Sequence, residues 1–512
     1  MNMKLNVYDE SIIVVGANQI MAGKFPHIDF YFNYGPAQIG LLATVFAVFG
    51  KSLLVARLYD IAIRTGIVIA CGFVLRQLRV DRRIATAALG VQILLLFAAG
   101  QYLYVIFPTL LLTLVGTLVL APAAPDGRGS ARRLIAGGAI TGVITLFRYD
   151  VGFFVMVAHA AGLALLCAGG TQPWRAMARV LGLYVAGISL VFLPFAIMAL
   201  AAGAGPGFLH DIILYPARNY AAMRSLPFPM PALSGNFGLS LAVYAPVPTA
   251  IIAAWFLVDR CRREGDAFLH SAQMRLLLLL AVVTLAFFAK GVVRVSLTHM
   301  LMSIMAAIPV LALLITRRQP KGVRQVAVIV AGMITISAVA ALGLKGREDL
   351  KAPENLLPMR LAGATPLAMQ RACLPLPSLG TGTLDADSYG AACYLAAHTA
   401  PNEKIFVGAG RHDKLFISNM ALYFAAGRLP VGHWYHFDPG LQTRADVQSA
   451  IIAELETGQV RFVARDETYD TVDEPNQSAL SSGVYLLDQY LAARYRLAAR
   501  FGQIAVYRRT GT

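Results

Sequence analysis

A mainly α, polytopic helical membrane bundle followed by a C-terminal extracytoplasmic α/β domain is the fold class that the sequence predicts. Three observations predict it. The chain is 57% hydrophobic and only 14% charged, with a mean hydropathy of +0.62. Apolar runs long enough to cross a bilayer recur between residues 53 and 344 and then stop. The basic excess stops with them. Residues 345–512 hold 17 basic and 17 acidic side chains, so the whole net charge of +16 belongs to residues 1–344. There the arginines sit at the ends of apolar runs, which is a membrane-orientation pattern. It excludes the nucleic-acid partner that a pI near 9.8 would otherwise invite.

The chain divides into residues 1–52, a first extracytoplasmic loop with juxtamembrane helices; 53–344, the transmembrane bundle; and 345–512, the outer domain. Residues 11–22 form a short half-apolar helix. Residues 36–49 are apolar but too short for a span, which suits an interfacial or re-entrant helix. Ten spans follow, at 53–78, 83–100, 104–121, 132–147, 149–169, 178–202, 237–258, 274–289, 297–316 and 324–344.

Loop charges orient these spans. Alternate loops hold 17 basic residues, from Arg76–Arg83, Arg128–Arg133, Arg175–Arg179, Arg260–Arg275 and Arg317–Arg324. The other loops hold far fewer, so the basic side is cytoplasmic. Residues 1–52, the 203–236 loop and the C-terminal domain then lie outside, on the periplasmic face of a bacterial inner membrane. An N-terminus on that side, with an acidic pair beginning abruptly at Asp9, leads to the expectation of a further span encoded upstream.

In the C-terminal domain, strands at 404–408, 460–464 and 504–508 alternate with helices at 417–426, 444–457 and 483–490, which implies a small layered unit. The Pro- and Leu-rich stretch 346–385 reads as a linker packed on the bundle. The five cysteines make no framework. Cys71 and Cys167 fall in spans and Cys261 in a basic loop, and Cys373 and Cys393 could pair in an extracytoplasmic domain but read rather as two lone thiols. No Cys/His cluster has zinc-site spacing, and no metal ligands are expected.

Several polar groups lie where carboxylates and guanidiniums are costly. Asp9, Glu10 and Asp29 sit in the first outer block. A carboxylate there can act as general base toward a hydroxyl, and equally can serve the helix that follows it. Arg57, Asp60 and Arg64 share one face of the first span. Asp60 and Arg64 read as a bridge locking the bundle, and Arg57 lies near enough to the outer surface to reach a lipid phosphate. Arg148 and Asp150 are neighbours at an outer turn. Arg218, Arg224, Lys290 and Arg294, with His299, place positive charge on the outer side against the general trend. Phosphate recognition or lipid-headgroup anchoring would account for them. The Gly408–Arg411 stretch reads as a turn. The cluster from His433 to Asp438 suits sugar stacking or, more commonly, packing against membrane helices.

Residues 8–58 resemble the first extracytoplasmic loop of the GT-C glycosyltransferases, the membrane class that includes protein O-mannosyltransferases and lipid A aminoarabinose transferases. The features that carry the resemblance are the acidic pair Asp9-Glu10, the helix at 11–22, the Pro26 to Asp29 patch, Gly35-Pro36 opening a second juxtamembrane helix, the Phe49 to Ser52 turn, and Arg57 opening the next span. The resemblance implies a GT-C-like bundle and a sugar transfer from a polyprenyl-phosphate donor to a glycan, lipid or protein acceptor at the outer face. By position it makes Asp9 the catalytic base, with Glu10 beside it. It also implies that outer cations, with Lys290 and Arg294 as candidates, hold the lipid-linked phosphate. The second outer loop, Gly100 to Tyr104, has no carboxylate, which favours transfer without a metal or other cofactor. Two other classes remain open on the sequence. A transporter or lipid flippase would show inverted repeats, and a non-catalytic scaffold would depend on its outer domain alone.

Overall fold

The computed structural model describes residues 4–123, 130–168, 172–229, 237–265, 271–316, 320–351, 376, 378–379 and 382–511. Arg128, Arg317, Arg318, Cys373 and most of the expected linker at 346–385 lie outside them.

Helix α1 (Asp9–Met21) is nearly all buried, and its first turn carries Asp9 and Glu10, whose charges suit a helix N-terminus. The loop before it is clipped on by side chains. The Tyr8 amide donates to Asn6 Oδ1 at 2.9 Å, and the Asn6 amide donates to Glu10 Oε2 at 3.0 Å. Helix α2 (Ala37–Phe49) is the short apolar helix expected near 36–49.

The bundle then runs through α3 (Leu53–Gln77), α4 (Arg82–Ala98), α5 (Ile106–Leu120), α6 (Ala131–Phe147), α7 (Tyr149–Cys167), α8 (Pro173–Ala201), α9 (Pro246–Glu264), α10 (Ala272–Gly291), α11 (Leu301–Ile315) and α12 (Lys321–Lys351). Ser52 caps α3 through a bond from the Val55 amide, and Asp81 caps α4. Among the described residues, six helices are long and apolar enough to cross a membrane: α3, α7, α8, α9 with the turn before it, α10 and α12. The remaining expected spans are helices of 15–17 residues. The protein is a multi-pass membrane protein.

Helices α6 and α8 pack closest. A Cβ at Gly138 would meet the Tyr184 carbonyl, and one at Gly187 would meet the Ile135 carbonyl. Small residues permit such backbone approach where apolar lipid gives no hydrophobic drive. Between α8 and α9 the expected 203–236 loop is partly helical, with two π-helical turns at Leu209–Leu214 and Pro216–Tyr220. Such turns are often found at functional sites.

The C-terminal domain contains α13 (Ala386–His398), β1 (Phe406–Ala409), α14 (Ala421–Ala426), α15 (Ala445–Thr457), β2 (Phe462–Asp466), α16 (Leu486–Arg494), β3 (Tyr495–Phe501) and β4 (Ile504–Arg509). The sheet order is β1-β2-β4-β3, with β1 parallel to β2 and the other pairs antiparallel. Strand β3 was not expected. It lies at a sheet edge with most of its side chains exposed, so it lacks the apolar alternation of a half-buried strand. The last helix begins three residues later than expected, after Gly483 at φ +73°. Cys393 is disulfide-bonded, which corrects the reading of two lone thiols, whereas Cys71 and Cys167 are free.

Candidate functional site

A cavity of about 610 Å³ opens where the N-terminal block, the bundle and the C-terminal domain meet. Its lining comes from residues 6–9, 31, 33–34, 101, 104, 148–150, 212, 215–216, 220–221, 224, 293–294, 299, 416–417, 438 and 469. Every bundle segment among these joins helices at the end opposite the arginine-rich loops.

Asp9 is half-buried in this wall. Its one hydrogen bond among the described residues comes from Gln101 Nε2 at 3.4 Å, and no cation stands within 4 Å of it there. Burial lifts its carboxyl above the ordinary aspartate range, while the field of Arg224 and Arg294 opposes the lift. Gln101 is held by the loop before α5. Asp60 Oδ1 accepts the Leu103 amide at 2.9 Å and holds Leu103 at a left-handed φ of +58°. Arg64 bridges to Asp60 at 2.6 Å, and also donates to the Leu96 carbonyl and, at 2.6 Å, to the Gln101 carbonyl. The Asp60–Arg64 bridge therefore shapes the loop that presents Gln101 and Tyr104 to the cavity.

Glu10 does not line the cavity. It is fully buried against Arg57 at 2.9 Å, and Arg57 also donates to the Lys4 carbonyl at 2.8 Å and lies 3.5 Å over the Tyr102 ring. Arg57 is thus enclosed and cannot meet a lipid headgroup, which corrects the expectation from its position near the span end. The pair ties α1 to α3 and fixes where Asp9 points.

Of the other residues singled out, Arg148, Asp150, Arg224, Arg294 and His299 line the cavity. Arg148 Nε donates to Asp150 at 2.8 Å. Lys290 stands 3.8 Å from Asp150, behind the lining. Asp29 is exposed and accepts the Phe25 amide at 2.6 Å, and Arg218 is exposed on the second π-turn; neither reaches the cavity. His299 is tied through Nδ1 to Ser296 Oγ at 2.7 Å.

The C-terminal domain supplies residues that sequence reasoning missed. Asp438 accepts from Arg224 at 2.8 Å, Tyr8 at 3.0 Å, Tyr31 at 3.1 Å and Asn33 at 3.4 Å. Burial opposes its charge, but Arg224 and His436 outweigh it and hold the carboxyl below the usual range. Glu474 takes a two-point grip from Arg294 at 2.8 and 2.5 Å. The aromatic cluster before Asp438 packs on the N-terminal block, with the Tyr31 ring tilted against His436 at 4.8 Å and Tyr435 donating to the Ile12 carbonyl. It is an interface, and its one signal for a site was the acid at its end. The π-turn segment is latched to the same block by His27 Nδ1 and Asp211 at 3.0 Å, both buried. Among the described residues, no group of three His, Cys, Asp or Glu side chains is placed to hold a metal ion.

No protein-family model and no curated protein sequence matches the chain. Solved structures do. ArnT from Cupriavidus metallidurans bound to undecaprenyl phosphate aligns over 100% of this chain and 95% of its own, with 16% identity and a TM-score of 0.57. The apo state of the same protein aligns over 99% and 94%, with 15% identity and a TM-score of 0.53. Over its whole length, then, this chain has the fold of ArnT, a helical bundle with a C-terminal α/β domain.

Proposed function

We propose that the protein is a membrane glycosyltransferase that moves a sugar from a polyprenyl-phosphate donor to a hydroxyl acceptor. The observation that carries this reading is the cavity itself. Among the described residues, one carboxylate without a cationic partner, Asp9, faces an enclosure lined by three guanidiniums, those of Arg148, Arg224 and Arg294. A base beside a phosphate-binding wall is what such a transfer needs. The likeness of the fold to ArnT, solved with undecaprenyl phosphate, supports the donor class.

In this mechanism Asp9 accepts the proton of the acceptor hydroxyl. The freed oxygen attacks the anomeric carbon in line, and the bond from that carbon to the phosphate oxygen breaks. The electron pair leaves with the phosphate, whose charge the guanidiniums stabilise, and the configuration at the sugar inverts. The cavity's own arginines supply positive charge at the leaving group, so the reading is metal-free. Glu10, Arg57 and Lys290 act through others. The first two hold Asp9 in place, and Lys290 supports the Asp150–Arg148 pair.

The side of the membrane follows from charge. The cavity lies at the end of the bundle away from the arginine-rich loops, which favours the outer face of the inner membrane with the C-terminal domain in the periplasm. The test is release of polyprenyl phosphate from a sugar-loaded short-chain donor by the protein in vesicles, with and without membrane-extract acceptors. Acceptor-dependent release supports the reading. An absence of both release and donor binding across neutral and charged sugars would sink it.

A further inference from the structure

We infer that the sugar carried at this cavity is uncharged. This rests on the sugar-transfer reading above and concerns which donors fit the site.

Every carboxylate of the wall other than Asp9 is already engaged by a cation. Asp150 is bonded to Arg148 and faces Lys290, and Asp438 is bonded to Arg224. Glu474, behind the wall, is gripped at two points by Arg294. An ammonium group on a sugar would need a carboxylate of its own. Among the described residues of the wall the one left is Asp9, which the transfer requires as a base. The same ammonium would sit among three guanidiniums, and like charges brought together in an enclosed site repel. A carboxylated sugar fares no better. Each of the three arginines already holds one acid and must also face the donor phosphate, so a second anion would compete with that phosphate for the same guanidiniums.

What remains of the wall is uncharged and suited to hydroxyls. Eight of its residues are tyrosines, and Asn6, Asn33 and Gln101 add amides. Phenol rings stack on the apolar faces of pyranose or furanose rings, while phenol and amide groups exchange hydrogen bonds with their hydroxyls. The volume, about 610 Å³, is within the ordinary range for a small-ligand site, roughly 300–1,000 Å³.

The experiment uses the full-length protein in nanodiscs at pH 7. Probes are short-chain polyprenyl phosphate, alone and esterified to a neutral hexose, a neutral pentose, an amino sugar and a hexuronic acid. Affinities are read from ligand-dependent thermal stabilisation. The expected result is binding of the bare lipid phosphate, with at least one neutral-sugar lipid bound about tenfold or more tighter than both charged-sugar lipids. An amino-sugar or uronic-acid lipid bound as tightly as the neutral ones overturns the inference and leaves sugar transfer standing. Failure of every probe, the bare lipid phosphate included, overturns the transfer reading and this inference with it.

Discussion

Asp9 carries a burial cost that the field of Arg224 and Arg294 only partly offsets, and the sign of that cost is testable. Its carboxyl titrates above the ordinary aspartate range because it is desolvated. A folded-state pKa above the unfolded value means that the folded protein binds the proton more tightly. Stability is then greatest below the unfolded pKa and is lost as pH rises through the folded one. Asp9→Asn should therefore raise the melting temperature at neutral pH and leave it unchanged in strong acid. A lower melting temperature at neutral pH would show that the ionised carboxylate is stabilised by its surroundings. The same shift sets the activity profile. A base must be ionised, so transfer should decline on acidification at a pH above the ordinary aspartate value of about 3.9; a rate flat down to that pH would contradict Asp9 as the base. Glu10 differs in having a partner, because burial lifts its carboxyl too but Arg57 stands against it at 2.9 Å and opposes the lift. Glu10→Gln leaves Arg57 buried without a counter-charge and should cost about 3–5 kcal/mol, whereas Glu10→Leu with Arg57→Met should recover most of it. Chemical denaturation of the three variants checks this. The acidic pair was visible in the sequence, but its division of labour was not. Asp9 and Glu10 are adjacent, and only the direction each takes from the start of α1 separates the cavity from the core.

The elements with a strong repeating signal were legible in the sequence. Apolar runs marked the long helices, and the serine and aspartate before α3 and α4 cap them. What could not be read was irregular. The π-turns between α8 and α9 have no helical apolar stripe, because one side faces the cavity and the other is latched through Asp211 to His27. Strand β3 was hidden by its exposed edge position. Arg57 was misjudged because sequence position gives depth along a helix but not the side that faces the core. The contact between α6 and α8 was equally silent until the two glycines met opposing carbonyls. Gly187→Ala should force those backbones apart at a cost of about 1–3 kcal/mol. It is measurable as a lower melting temperature in detergent, and an unchanged value would mean that the pair moves apart freely.

On the scale of the whole molecule, the cavity belongs to no single domain. The bundle supplies Arg148 and Arg294, the N-terminal block supplies Asp9, and the C-terminal domain completes the wall through Asp438 with Glu474 behind it. Asp438→Asn removes the counter-charge of a buried Arg224 and weakens the joint formed with Tyr8 and Tyr31. Amide exchange around residues 437–441 should accelerate in that variant, and exchange at the wild-type rate would place the hold elsewhere. The likeness in fold to ArnT likewise spans the entire chain rather than the membrane part alone. The most direct test of the central claim is sugar transfer from a polyprenyl-phosphate donor by wild type and Asp9→Asn side by side, with binding of bare polyprenyl phosphate measured for both. The account predicts that Asp9→Asn retains lipid binding and loses about 10²–10⁴-fold in transfer rate. Transfer at the wild-type rate by Asp9→Asn would contradict it.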